Sequence, residues 1–329
     1  QGPPGTGKTQ TILNIIANLL MADKTVLIVS NNNSATENVL EKLNKNGLGF
    51  LVAPLGNKNN KEAFIANQPP LNHELPLWNK TLMELNHYHT EVKTYLGQVE
   101  RVFKDQERLA ICRQELAEVK VEMSHYRQEH TEELYDKTIK TTSTKILKII
   151  NQLKSYAIEY QEHSSGLLKR LRQALDKLSL KLRLRFFLEV KEDLTPESIT
   201  WIITQLYWLF YIRRIKELES EIVNIEDHLS QLDANALIKS LTYNSMSILK
   251  ATVAQRYKNE RRKIASIKEL FNNGESVLTD YPIVLSTTFS SKTCFNSDLL
   301  FDYVIMDEAS QVSVDTGLLA LTCAKNAVI

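Results

Sequence analysis

Glycines, a lysine and a threonine stand at a fixed spacing at the start of the chain. Gly2-Pro3-Pro4-Gly5-Thr6-Gly7-Lys8-Thr9 fits the pattern GxxxxGK[ST], and apolar residues at helical spacing follow it at once. Glycines in such a loop let the backbone wrap a phosphate chain with its N–H groups inward, while the helix behind aims its positive dipole end at the same anion. The whole run, Gly2 through Thr9, is therefore assigned to nucleotide binding, with Lys8 reaching the β and γ phosphates and Thr9 offering a hydroxyl to Mg²⁺. An ordinary glycine-proline turn gives no reason for a lysine-threonine pair at this point. Near the far end, the apolar run from Phe301 to Met306 stops at two adjacent carboxylates, Asp307 and Glu308. Phosphoryl transfer needs an acid at a strand end to hold the metal and a base to orient the attacking water. Asp307 suits the first role and Glu308 the second. Lys8 and Glu308 are the catalytic candidates, Thr9 and Asp307 the metal ligands, and ATP with Mg²⁺ the expected cofactors.

These groups need elements to position them. Ile12, Ile15, Ile16, Leu19 and Leu20 predict a helix over 9–22, and the β-branched run Thr25 to Val29 a buried strand. A second helix is expected from Ser34 to about Leu43, with Ser34 as its cap and Glu37 three residues later. Phe50 to Leu55 reads as another strand, and the polar, proline-bearing stretch 57–76 as a connection. From 77 to 272 glycine is scarce and Leu, Lys, Glu and Gln abound, which is helical composition. Within it Leu85, Val92 and Val99 are spaced by sevens, with Tyr88, Tyr95, Val102, Leu109, Leu116 and Met123 interleaved. Ile215, Ile222 and Leu229 with Leu218, Ile225 and Leu232 repeat the pattern, downstream of a Thr195-Pro196 helix start. Two such arms, joined by an irregular helical stretch over 138–193, suit an antiparallel stalk, and the same apolar faces also suit a compact bundle. Strand signals return at 282–286 and 301–306. The expected organisation is an α/β parallel-sheet core over 1–56 and 273–329, a linker at 57–76 and an all-α, coiled-coil insertion at 77–272.

Composition narrows the setting. With 43% hydrophobic and 24% charged residues, the 329-residue chain can bury a large core. Its formal net charge of +1 supplies no global field for a polyanion, so nucleic-acid binding has to come from a local surface. Cys112, Cys294 and Cys323 lie far apart with neither a CxxC pair nor a disulfide framework, which favours a reducing, intracellular setting. No apolar run is long enough to span a bilayer, so a cytoplasmic location is expected, without excluding the nucleus. His73, His87 and His89 cluster in sequence, but the last two fall on different helix faces and suit surface positions better than a metal site.

At this point the residues resemble a known family. Residues 1–9 and Asp307-Glu308-Ala309-Ser310-Gln311 are similar to motifs I and II of superfamily 1 helicases, in the nonsense-mediated-decay-type branch. Val26 to Ala35 is similar to that family's motif Ia, and Leu285-Ser286-Thr287-Thr288 to its motif Ic. The resemblance implies a RecA-like P-loop core, a nucleotide contact from Gln311, and single-stranded DNA or RNA held by the Ia and Ic turns through Asn32, Asn33, Thr287 and Thr288. Capping and turn chemistry suit the same asparagines and threonines. Two departures stand out: Asn31-Asn32-Asn33 replaces a Pro-Ser/Thr-Asn turn, and the insertion reads as helix where relatives often carry a small β-barrel. The family also has a second RecA-like domain whose arginines complete the ATP site; this chain starts without the strand that precedes the loop and stops before that domain, so it is expected to be an excerpt that turns ATP over slowly alone. The helical insertion offers a surface for a protein partner.

Rival readings are a coiled-coil ATPase of the chromosome-maintenance or repair type, which would carry a Leu-Ser-Gly-Gly signature absent here, and an AAA-type remodelling ATPase, which shares the loop wording but not motif II ending in Ala-Ser-Gln. A scaffold with a degenerate nucleotide site fits poorly with Lys8, Thr9, Asp307 and Glu308 all in place.

Overall fold

The computed structural model describes residues 7–130, 134, 141–161, 177–185, 194–257, 266–296 and 298–329. Gly2, Pro3, Pro4, Gly5 and Thr6 lie outside the described residues, as do the basic residues at 261–263. The chain divides into two compact units, one formed by Gln1–Thr94 with Ser240–Ile329 and the other by Tyr95–Lys239.

The first unit is built on a parallel sheet of five strands in the order β2-β3-β1-β4-β5. These are β1 (Val26–Ser30), β2 (Val52–Pro54), β3 (Ile283–Thr287), β4 (Phe301–Met306) and β5 (Ala324–Val328). Central β1 is buried along its whole length, as a parallel strand covered on both faces must be. Its residues alternate between two cores. Val26 and Ile28 join Ile283, Leu285 and Ile305 under helices α1 (Lys8–Met21) and α2 (Asn33–Lys45). Leu27 and Val29 join Val284, Val304 and Met306 on the opposite face, under α3 (Lys58–Ala66) and the short helices flanking β3 and β4. The result is a three-layer α/β/α core, in which α1 contributes the expected Ile12, Ile16, Leu19 and Leu20.

Three local features differ from the sequence reading. Helix α2 starts one residue before Ser34, and Asn32 caps it by accepting the Ser34 N–H at 3.3 Å. The cap moves because β1 ends at Ser30 and leaves Asn32 in an extended conformation at the turn. Phe50 and Leu51 form a 3-10 turn ahead of β2. The polar stretch after β2 contains α3, started by the Asn57 side chain, with Phe64 set edge-on against Tyr281 at 4.9 Å between ring centroids.

Among the described residues from 77 to 272 all regular structure is helical. Helix α4 (Leu75–Trp78) seats Trp78 in the first unit's core beside Phe50. Helix α5 (Leu82–Glu129) begins in the first unit and continues into the second, and α9 (Ala234–Arg256) runs back. Inside the first unit Leu249, Val253, Ala254 and Tyr257 pack with Ile12, Ile16 and Phe50, and Arg256 pairs with Asp23 at 2.9 Å. Inside the second, α6 (Ser143–Gln161), α7 (described over 177–185) and the first half of α8 (Pro196–Ser230) share a core of Ile146, Ile150, Leu153, Leu184, Ile202 and Leu206. The second half of α8 runs antiparallel to α5 over Cys112, Val119, Leu218 and Ile222, with Leu109, Leu116 and Ile215 packed against them. The unit is thus bundle at one end of α8 and coiled coil at the other. Thr195 caps α8 with Pro196 at its first helical position, as expected from sequence.

Candidate nucleotide and nucleic-acid site

All five strands point the same way, so β1, β3 and β4 end along one edge of the sheet. Ligand sites of open parallel sheets lie outside these carboxyl ends. The register places Ser30 beside Thr287, and Val29 beside Met306. Two hydrogen bonds carry the ladder past the strand ends: Thr288 N–H to Ser30 O at 3.2 Å, and Asp307 N–H to Val29 O at 2.9 Å.

Gly7 closes the N-terminus of α1 with φ 80° and ψ 23°, a left-handed conformation that a Cβ would strain. Lys8 follows in the first turn, and its Nζ lies 2.8 Å from Glu308 Oε1. The hydrogen bond to Glu308, then the charges of Glu308 and Asp307, hold the Lys8 ammonium above its usual pKa. Thr9 is half-buried beside it. Lys8 and Glu308 therefore meet, with Asp307 near enough for its charge to act on the lysine, although 300 positions separate Lys8 from Glu308.

Glu308 itself sits at φ 53° and ψ 40°. A non-glycine residue in the left-handed region costs on the order of 1 kcal/mol or more and is characteristic of functional turns. Asp307 Oδ1 accepts the Glu308 N–H at 2.9 Å, which holds this turn, and Gln311 N–H returns to Glu308 O at 2.9 Å. Gln311 is exposed, and its carbonyl accepts the Asn31 side-chain amide at 3.2 Å. Asn31, absent from the candidates read in sequence, thus ties the β1 turn to the β4 turn. The Asn31-Asn32-Asn33 run was the available signal.

The four nucleic-acid candidates fall on the same edge. Asn32 is exposed and uses its carbonyl oxygen as the α2 cap; of Asn33 only the backbone, in α2, is described. Thr287 is half-buried, and its Oγ1 accepts the Ser290 N–H at 3.2 Å. Thr288 is 1% exposed, which leaves its side chain inside the turn.

Among the described residues no cluster of three or more His, Cys, Asp or Glu side chains could hold a metal by itself. Mg²⁺ at a nucleotide does not need one, because a single carboxylate and a hydroxyl, with phosphates and water, complete its octahedron. Thr9 and Asp307 are donors of that kind. No helix among the described residues is long and apolar enough to cross a membrane.

Comparisons with known proteins agree with this geometry. The chain matches the AAA_11 family, described as an AAA domain, over residues 1–329. A stretch of 47 residues, 14% of this chain, is 40% identical to the DNA polymerase alpha-associated DNA helicase A of Schizosaccharomyces pombe, and covers 7% of that protein. Another of 50 residues, 15% of this chain, is 44% identical to the DNA replication ATP-dependent helicase/nuclease JHS1 of Arabidopsis thaliana, and covers 4% of it. The matched stretches are small parts of these relatives. No solved structure matches the chain. With a phosphate-loop helix meeting a strand-end Asp-Glu pair on a parallel sheet, and the family matched from end to end, the chain belongs to the AAA_11 family and is a superfamily 1 helicase-type ATPase motor domain.

Proposed function

We propose that this motor domain binds ATP with Mg²⁺ and hydrolyses it to drive movement along single-stranded DNA or RNA. The contact between Lys8 and Glu308 carries the reading. A lysine at the first turn of α1 is placed for the β and γ phosphates, and the carboxylate beside it for the water that attacks the γ phosphate. Thr9 and Asp307 would hold Mg²⁺, which neutralises charge building on the phosphate oxygens, and Gln311 would contact the nucleotide from the same turn. With phosphate bound, the Lys8 ammonium exchanges Glu308 for the anion and frees the carboxylate to take up a proton from water. The exposed turn at Asn32 with Asn33 at the start of α2, and the Thr287-Thr288 turn beside it, would hold the sugar-phosphate backbone, chiefly through main-chain donors where Thr288 is enclosed. The helicase names of the two relatives support this side of the reading. A second RecA-like domain would supply the arginines, whose absence typically costs about 10³ to 10⁵ in rate.

Titration calorimetry with Mg-ATP tests the site. Lys8→Ala is expected to weaken binding at least tenfold, about 1.4 kcal/mol. Equal affinity in the two proteins would remove Lys8 from the site and the reading with it.

A further inference from the structure

The turn after β3 presents a side chain that the roles above leave unused. Phe289 is 75% exposed. A single exposed phenylalanine means little on its own; its setting gives it weight. On one side Thr288 is enclosed and its N–H is bonded to Ser30 O. On the other, Ser290 N–H bonds Thr287 Oγ1, and buried Ser291 donates its hydroxyl to Thr288 O at 2.7 Å. The next turn is held as well, because Lys61 of α3 donates to Thr293 O at 2.6 Å and Cys294 lies buried behind it. A slack loop would fold an aromatic ring back against the core. This turn is tied at both ends and holds the ring out.

We propose that Phe289 is a stacking platform for one base of a single-stranded nucleic acid. The inference rests on the helicase reading and adds to it a contact to the base. Phe289 follows Thr288, whose N–H bonds Ser30 O, so its turn leaves the sheet beside the turn that Asn31 and Asn32 form after β1. Neutral amides, hydroxyls and main-chain groups beside a lone ring match a sugar-phosphate backbone next to an unstacked base. The neighbours of Phe289 in the turn, Thr288, Ser290 and Ser291, carry hydroxyls of the kind that suit such a backbone. Stacking also fits a chain of net charge +1, which has little long-range attraction to offer a polyanion. Every base has a π face, so the contact grips without reading sequence.

The test is fluorescence anisotropy with labelled oligo-dT and oligo-U, and with the same oligomers carrying abasic sites throughout, on the full chain. Phe289→Ala is expected to lower affinity for the base-containing oligomer about 5- to 100-fold, the worth of one stacked base. Phe289→Tyr should restore it, and wild type and Phe289→Ala should bind the abasic oligomer alike. An unchanged melting temperature shows that the exposed substitution leaves the fold intact. Equal affinity of wild type and Phe289→Ala for bases, or an equal loss on the abasic oligomer, overturns the stacking role while leaving the helicase reading standing. No binding of either nucleic acid by wild type removes that reading, and the inference with it.

Discussion

Lys8 and Glu308 stand 300 positions apart in sequence and 2.8 Å apart in space. The two residues make separable predictions. Glu308→Gln keeps the volume and removes the base, so it should bind Mg-ATP as wild type does and lose about 10² to 10⁴ in turnover, the usual worth of a positioned general base. Single-turnover hydrolysis measured beside calorimetric affinity reads both quantities; undiminished turnover would strip Glu308 of its role. Cys294 gives a prediction of another kind. Burial pushes its thiol up to about 11 from 9.0. At pH 8 the thiolate is then roughly one part in a thousand, and the native protein should leave Cys294 unlabelled by iodoacetamide until it is unfolded. Because the folded value is the raised one, this thiol's contribution to stability is complete below pH 9 and is lost as pH climbs through 11. Mass mapping of the alkylated cysteines checks it.

At the scale of elements, the paired helices of the second unit show how far a heptad pattern can be read. Arg108 pairs with Glu221 and Arg214 with Glu115; on the other flank Arg113 pairs with Glu226 and Lys120 with Glu219. In each flank the partners step by seven residues up α5 and seven down α8, the signature of an antiparallel coiled coil. The series Val102, Leu109, Leu116 is in the seam, as its spacing indicates. Its companion changes side. Before Val102 it is the preceding Val99 that is buried, and after Leu109 it is the following Cys112 and Val119. Gln106 and Arg113 stand where the first companion series would continue, and polar residues cannot stay at a seam, so the helix changes phase. Leu218 is fully buried against this seam. Leu218→Ala should cost about 2 to 5 kcal/mol by lost burial and an unfilled cavity. The half-exposed ion pairs should each contribute far less, because water and salt screen them. Thermal melts of Leu218→Ala beside Arg108→Ala rank the two, and a larger loss from the arginine would contradict the seam.

For the molecule as a whole, the division into units at 94/95 and 239/240 makes the helical unit separable in principle from the nucleotide site. The boundary falls inside α5 and α9, where no composition shift marks it. Within the first unit Glu91 and Asn244 are joined by a hydrogen bond of 2.8 Å, so the two helices are already neighbours where they leave the core. A short glycine-serine linker from Thr94 to Ser240 closes a small loop at modest entropic cost. The shortened protein is expected to keep the Mg-ATP affinity of the parent while its circular dichroism loses the helical signal of residues 95–239. Loss of nucleotide binding would show that the helical unit is needed to hold the core.

The phosphate-loop lettering, the Asp307-Glu308 pair at a strand end and the helical composition of the insertion are short-range patterns, and they were legible because their chemistry needs residues close together in the chain. The periodicity of α1 and the burial of β1 follow from the same local rule, apolar residues repeating at the period of the element. Tertiary structure alone decided what meets across long separations. Strand order is not written in any single strand's pattern, so the approach of Glu308 to Lys8, the tie from Asn31 to Gln311 and the alignment of three strand ends on one edge emerge only when the parallel sheet assembles. The same holds for neighbours one residue apart. Thr288 reads in sequence as a candidate and Phe289 is not singled out there; with the Thr288 N–H bonded to Ser30 O and the Ser291 hydroxyl bonded to Thr288 O, the threonine is enclosed and the ring stays outside, against the order that side-chain polarity alone would predict.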